Sequence, residues 1–319
     1  MFQQTITNFN INYDVYNESR SFCSGDRVTG KISFELKKET KISAIRMEFR
    51  GTAHVHWSTS GGKNRRRRNY SARLDYFHIK SSILEDSSGM PPPRQFAPEL
   101  RFKSLKGKYS MFPPAAAVGG LRLQAGTHVY PFTLQIPEGD FPSTFRGIHG
   151  TVTYNLTVTI DRPWHLSKSF VTELMFRSRM NLNDPQLWCP LSGSNSTTLC
   201  CLWCASGPIT LTATAEKKAF SPGETLKIVC EISNASSRTV TPKMKLLQKQ
   251  NFYTHNKVSR RLYSQTLASV NGHTISPHSS EVHTELLLTI PSSAPCSISN
   301  CSILEVQYVV EVGNTDRWR

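Results

Sequence analysis

Three clusters of side chains have types and spacings that bear on chemistry. Cys200, Cys201 and Cys204 form the tightest cysteine group, with Cys189 eleven positions before Cys200. A C-x2-C pair such as Cys201 and Cys204 offers two thiolates, whereas a structural zinc site needs four N or S donors in a tetrahedron. A second such pair is missing and a polar stretch separates Cys189, so these four are weak metal candidates and no cofactor is expected. The competing readings are a redox-active or acylated cysteine and free thiols packed at a domain junction.

The second cluster is a block of charge, Lys63-Asn64-Arg65-Arg66-Arg67-Arg68, between Gly61-Gly62 and Tyr70. Lys63, Arg65, Arg66, Arg67 and Arg68 are candidates to contact anionic lipid headgroups or phosphate, which guanidinium groups grip in bidentate fashion. A nucleic-acid footprint, a nuclear import signal and a solvated loop are the alternatives. Stacking on nucleic acid needs aromatic platforms beside the charge, and only Tyr70, Tyr76 and Phe77 qualify.

The third cluster, His54 and His56, occupies alternate positions with Val55 and Trp57, so both imidazoles face the solvent side of a strand with no third ligand nearby. His149, between Gly147 and Gly150, reads as a tight strand entry. The chain contains no G-x-S-x-G, H-E-x-x-H or phosphate-cradling glycine loop. No catalytic residue and no small-molecule substrate are expected, and the chain does not read as an enzyme.

Strands must position these groups. Apolar residues alternate in Ile11-Tyr13-Val15, Val28-Ile32-Phe34-Leu36, the run from Ile45 to Trp57, Phe132-Leu134-Ile136 and the run from Val152 to Ile160. The pattern resumes in Ile209-Leu211-Ala213, Leu226-Ile228-Cys230-Ile232 and Leu304-Val306-Tyr308-Val310-Val312. Period two predicts half-buried strands of stacked antiparallel sheets, and no long segment keeps a helical period. Ser24-Gly25-Asp26 before Val28 and Ser221-Pro222-Gly223-Glu224 before Leu226 are matched turns. Tyr154 after Val152 and Tyr308 after Val306 form a second matched pair in the same order, which predicts two similar sandwiches. Residues 1–178 and 208–319 are the expected domains, with the Ser-, Asn- and Pro-rich residues 179–207 as the linker.

The 319 residues are enough for two cores. The 38 Lys and Arg exceed the 23 Asp and Glu, for a net charge of +15. Residues 1–178 hold 25 basic and 14 acidic residues, so the first domain carries most of the excess. Residues 1–20 lack a basic, apolar leader, and no apolar stretch reaches membrane-spanning length. A cytoplasmic protein is expected, and the six N-x-S/T sequons are read as chance occurrences.

In combination, these stretches resemble the α-arrestins, the arrestin domain-containing proteins. The resemblance rests on Ser24-Gly25-Asp26, Arg50-Gly51-Thr52-Ala53, His149-Gly150-Thr151-Val152-Thr153-Tyr154, Arg162-Pro163-Trp164, the segment from Leu199 to Ile209, Ser221-Pro222-Gly223-Glu224 and the segment from Asn300 to Tyr308. It implies an all-β fold of two arrestin-type, immunoglobulin-like sandwiches joined by a hinge. It also implies an adaptor that links membrane receptors or transporters to endocytosis and ubiquitin-dependent transport, recruited from the cytoplasm to the plasma membrane or endosomes. The alternative is a basic nucleic-acid-binding β protein, and nucleic acid is not the expected partner.

Three departures qualify the resemblance. Family members carry Pro-Pro-x-Tyr motifs that dock into WW domains of HECT-type ubiquitin ligases, and here Pro91-Pro92-Pro93-Arg94 and Pro113-Pro114-Ala115-Ala116 lack the tyrosine. A ligase is therefore expected only if recruited by another route. The sequence given stops 11 residues after Tyr308, so the second sandwich is expected to end early. A thioredoxin-binding branch of the family has a reactive cysteine after a segment like Ser269-Val270-Asn271-Gly272. No cysteine follows here between His273 and Ser280, and a mixed disulfide at that position is not expected.

Overall fold

The computed structural model describes residues 5–15, 20–59, 67–85, 122–179, 184–201 and 204–314. The chain divides into two compact units, one holding Met1–Arg179 with the short segments Tyr253–Ser259 and Asn300–Leu304, the other holding the rest.

The strands of the first unit are β1 (Ile6–Tyr13), β2 (Arg27–Leu36), β3 (Thr40–Lys41), β4 (Ala44–Thr59), β5 (Arg68–Glu85), β6 (Arg122–Leu123), β7 (Gly126–Gln135), β8 (Phe145–Arg146), β9 (Gly150–Asp161) and β10 (Lys168–Glu173). One sheet runs β1-β2-β7, and the other runs β10-β9-β4-β5 with β8 paired to β9. Strict alternation of buried and solvent-facing residues along β9, and nearly strict alternation along β4, aims one face of the larger sheet at the core. Phe49, Phe77, Phe141, Tyr154 and Phe176 are all buried there. The Tyr154 and Phe176 rings stack at 4.4 Å, and Phe77 meets Phe141 edge-on at 5.2 Å.

The second unit begins with a 3-10 turn, Pro185–Trp188, whose first residues are capped by Asp184. Its strands are β11 (Leu191–Cys201), β12 (Cys204–Ala215), β13 (Thr225–Asn234), β14 (Pro242–Tyr253), β15 (Arg260–Asn271), β16 (Ser279–Thr289) and β17 (Leu304–Asn314). The sheets run β11-β12-β13-β16 and β15-β14-β17. Ile209, Leu211, Ile228, Cys230 and Ile232 from the first sheet share one core with Met244 and Leu246 from the second.

The two units repeat one plan: β1, β2 and β7 correspond in order to β12, β13 and β16, while β9, β4 and β5 correspond to β17, β14 and β15. The matched turns have the same internal bonding. Asp26 N–H donates to the Cys23 carbonyl at 3.2 Å, and the Asp26 carboxylate accepts from Cys23 N–H at 2.7 Å. In the second unit Glu224 N–H donates to the Ser221 carbonyl at 3.0 Å, and its carboxylate accepts from Ser221 N–H at 2.7 Å. The third residue of each turn is a glycine at positive φ, +79° at Gly25 and +87° at Gly223, as a type II turn demands. A third correspondence escaped the sequence reading. Leu134-Gln135-Ile136-Pro137 and Leu288-Thr289-Ile290-Pro291 lie opposite the turns, and Ile136 and Ile290 each donate at 2.9 Å to the carbonyl of the turn acid, Asp26 or Glu224.

Two elements differ from expectation. Within residues 179–207, read as irregular linker, Leu191–Cys201 is a strand, β11, paired to β12 from Leu191↔Ala215 onward. Between Leu191 and Thr198 only Thr197 is partly buried, so neither face selects apolar residues and no alternation marks the strand. Strand β14 hides its period differently, because its buried positions include Gln248 and Gln250. β17, the outer strand of its sheet among the described residues, is solvent-accessible over most of its second half.

Candidate anion-binding surface of the first unit

The β4–β5 hairpin positions the arginine block. The strands pair from Ala44↔Glu85 to Thr59↔Arg68, which puts Arg67 and Arg68 at the far end of the ribbon. Just below the tip the buried Trp57 ring stacks on Tyr70, with centroids 5.3 Å apart, and ties the two strands together. Arg67 donates from Nη2 to Ser58 Oγ at 2.8 Å, and Arg68 is exposed. Neither forms an ion pair among the described residues. Lys63, Arg65 and Arg66 lie outside the described residues.

Below the tip, charges on the outward face of the ribbon are matched in pairs. His54 and His56 are exposed, opposite Arg73 and Ser71, and Arg73 bonds Asp75 at 3.2 Å. Arg50 Nη2 lies 3.1 Å from His78 Nδ1, and His78 Nε2 lies 3.0 Å from Glu48. A guanidinium only donates, so this geometry makes Nδ1 the acceptor and directs the Nε2 proton at the carboxylate. Arg46 pairs with Asp161 at 3.0 Å. Arg46 and Arg50 are thus engaged on the sheet, while Lys37, Lys38 and Lys41 lie at the opposite end of β4 from Arg67 and Arg68.

The cysteines are dispersed along the β11–β12 hairpin. In the backbone register Cys201 opposes Cys204 and Cys200 opposes Ala205, while the side chains of Cys200, Cys201 and Cys204 lie outside the described part. Cys189 is exposed at the end of the 3-10 turn, its thiol 3.4 Å from the Pro185 carbonyl. Because β11 rises by roughly 3.3 Å per residue, its ends are about 33 Å apart, and Cys189 is at the end remote from the other three. These four cannot close one tetrahedron. Among the described residues no group of three or more His, Cys, Asp or Glu side chains is placed to hold a metal ion.

Other candidate chemistry is also committed to structure. A cleft of about 460 Å³ is lined by Ser24, Glu138, Asp140 and Arg179, among others. The Ser24 hydroxyl there donates to the Pro137 carbonyl at 3.1 Å and accepts from Gly139 N–H at 2.7 Å, and Arg179 bonds Asp26 at 3.0 Å. Both of its bonds are to backbone groups, and among the described residues it makes no hydrogen bond to a basic side chain that could activate it. The aromatic platforms needed for nucleic acid are occupied too: Phe77 is buried, Tyr70 covers Trp57, and Tyr76 packs edge-on against Phe141. Asn234, one of the six sequon asparagines, is fully buried, with its amide donating to the Arg238 and Ser276 carbonyls.

Comparison with known proteins follows the same division. The profile of the arrestin (or S-antigen) N-terminal domain matches residues 9–91 and 106–183, and that of the arrestin (or S-antigen) C-terminal domain matches residues 205–314. The chain is 27% identical over 304 residues to arrestin domain-containing protein 4 of Homo sapiens, covering 93% of this chain and 65% of that protein. It is 27% identical over 295 residues to the Mus musculus protein of the same name, covering 91% and 64%. It is 23% identical over 295 residues to thioredoxin-interacting protein of Mus musculus, covering 92% and 66%. The chain thus spans about 65% of the length of the curated relatives it matches. With both domains matched in order, the chain belongs to the arrestin family, in the branch of the arrestin domain-containing proteins or α-arrestins.

Proposed function

We propose that the chain is a non-enzymatic adaptor that links membrane receptors or transporters to endocytic trafficking and ubiquitin-dependent transport. It works from the cytoplasm and is recruited to the plasma membrane or endosomes. The observation that carries this reading is the presence of both arrestin domains in one chain. Arg67 and Arg68, with Lys63, Arg65 and Arg66 beside them in sequence, supply the contact to anionic headgroups or phosphorylated cargo tails through charge-assisted bonds. A HECT-type ligase joins only by a route other than a Pro-Pro-x-Tyr motif in this sequence.

Proximity labelling in cells tests the reading, with this chain compared against a version extended by a Pro-Pro-x-Tyr segment. Membrane receptors or transporters are expected with both, and HECT-type ligases with the extended version alone. Recovery of RNA-binding proteins without membrane cargo would overturn the adaptor reading.

A further inference from the structure

The loop joining β9 to β10, Arg162-Pro163-Trp164-His165-Leu166-Ser167, holds two large apolar side chains in water. Trp164 is 101% exposed and Leu166 92%. Single exposed hydrophobes are ordinary, but two flanking one residue at a hairpin tip make a knob. The knob is braced at its base. Pro163 fixes its own φ, His165 N–H donates to the Arg162 carbonyl at 3.3 Å, and Ser167 Oγ donates to Asp161 at 2.5 Å across the base. The Trp164 backbone adopts φ +58°, a conformation that bulky side chains rarely take, and no neighbouring packing covers the indole in return.

The charge around this knob identifies what covers it. Ala44 pairs with Asp161, and Lys168 Nζ donates to the Ile6 carbonyl at 3.1 Å, while Ile6 pairs with Leu36. The tip and the turn after β2 therefore share one end of the first unit. That end carries Lys37, Lys38, Lys41, Arg46, Arg122, Arg162 and Lys168, against Glu35, Glu39, Glu85 and Asp161. Glu39 is taken by Arg122 and Asp161 by Arg46, so Lys37, Lys38 and Lys41 are left without ion-pair partners among the described residues. An indole and a leucine at the same end of the unit as three cations without ion-pair partners match a bilayer interface with anionic headgroups, where the ring enters the headgroup region and the cations stay above it. An acidic protein surface would satisfy the charge but would not require a fully exposed knob.

We infer that the Trp164–Leu166 tip and the Lys37–Lys41 turn form a membrane-docking surface of the first unit, inserting into anionic bilayers. The surface deepens the membrane-recruited reading proposed above and rests on it, but it lies at the opposite end of β4 from Arg67 and Arg68, about 50 Å away for a strand of this length. The two ends can therefore be tested separately.

The experiment is co-sedimentation of the full chain with phosphatidylcholine vesicles, with and without phosphatidylserine. Trp164→Ser/Leu166→Ser should weaken partitioning onto the phosphatidylserine vesicles by at least about tenfold, as expected for losing even partial insertion of two large apolar groups. Lys37→Glu/Lys38→Glu should do the same. Tryptophan emission should shift to the blue on vesicle binding and lose most of that shift in Trp164→Phe, which keeps its affinity. Unchanged partitioning of the Ser/Ser variant at an unchanged melting temperature overturns the inference. So does a chain that is dimeric by light scattering and becomes monomeric on tip substitution, which assigns the knob to a second copy. If only Arg67→Glu/Arg68→Glu abolishes binding, the inference falls while membrane recruitment through the arginine block stands. If no version binds either vesicle, both membrane readings fall.

Discussion

The Tyr154 hydroxyl donates to the Pro142 carbonyl at 2.6 Å with both groups buried, and Tyr308 makes the corresponding bond to the Pro295 carbonyl in the second unit. Each tyrosine sits on an equivalent strand, β9 or β17, and reaches back 12 or 13 residues to the chain that leads into it. Burial pushes both phenols above their ordinary pKa, Tyr154 well above it, so each remains a donor at neutral pH. Tyr154→Phe leaves the Pro142 carbonyl buried without a donor and should cost about 1–2 kcal/mol in urea unfolding. Tyr308→Phe should cost at least as much, because the Tyr308 hydroxyl also accepts from Gln248 Nε2 at 2.9 Å.

Gly51, on the buried face of β4, meets the same aromatic cluster. A Cβ there would come within 2.8 Å of Phe77 Cε1 and 2.8 Å of Tyr154 Cε1. Gly51→Ala should destabilise the first unit by about 1–3 kcal/mol through overpacking of buried rings. Gly193→Ala on the exposed strand β11, where a Cβ meets nothing within 4 Å, should stay within about 0.5 kcal/mol of the parent. Thermal unfolding of the two variants checks the contrast.

Glu224 couples the second turn to pH. Its carboxylate bonds Lys217 and accepts from Ser221 N–H at 2.7 Å, which lowers its pKa from the ordinary glutamate value. The unfolded chain binds this proton more readily, so the contribution is complete above the ordinary value and is lost as pH falls through the folded one. Glu224→Gln should lower stability by about 1 kcal/mol at neutral pH. The gap between parent and variant should begin to shrink at about pH 4, where free glutamates protonate, and vanish only below the lowered folded value. A gap that persists undiminished into acid would refute this role.

The separation of Cys189 from Cys200, Cys201 and Cys204 predicts no stoichiometric metal on this group. Elemental analysis of protein purified without chelator should find well under one zinc per chain, and a chelator should leave the melting temperature unchanged. A full equivalent of zinc, lost together with stability on chelation, would show that the hairpin end recruits ligands from elsewhere.

How much was legible in the sequence depends on what each residue faces. Where a strand has one dry and one wet face, as β4, β9 and β13 do, alternation marks it directly, and the runs from Ile45 to Trp57 and from Val152 to Ile160 emerge with inward and outward faces as expected. The turn glycines Gly25 and Gly223 are legible for a local reason, since positive φ before an acid that bonds back needs only four residues. β11 was illegible because both its faces are wet, and β14 because its inward row includes Gln248 and Gln250, whose amides bond one another at 2.7 Å inside the core. Long-range pairing cannot be read from local pattern. Asp161 takes Arg46, and His78 bridges Arg50 and Glu48, pairings between residues far apart in sequence. Composition determined the excess of positive charge and patterning determined two β units. Only the tertiary structure decided which cations remain unpaired, and that Trp164 and Leu166 stand together in water among them, because both depend on residues brought to one end of the sheet from 37 to 168.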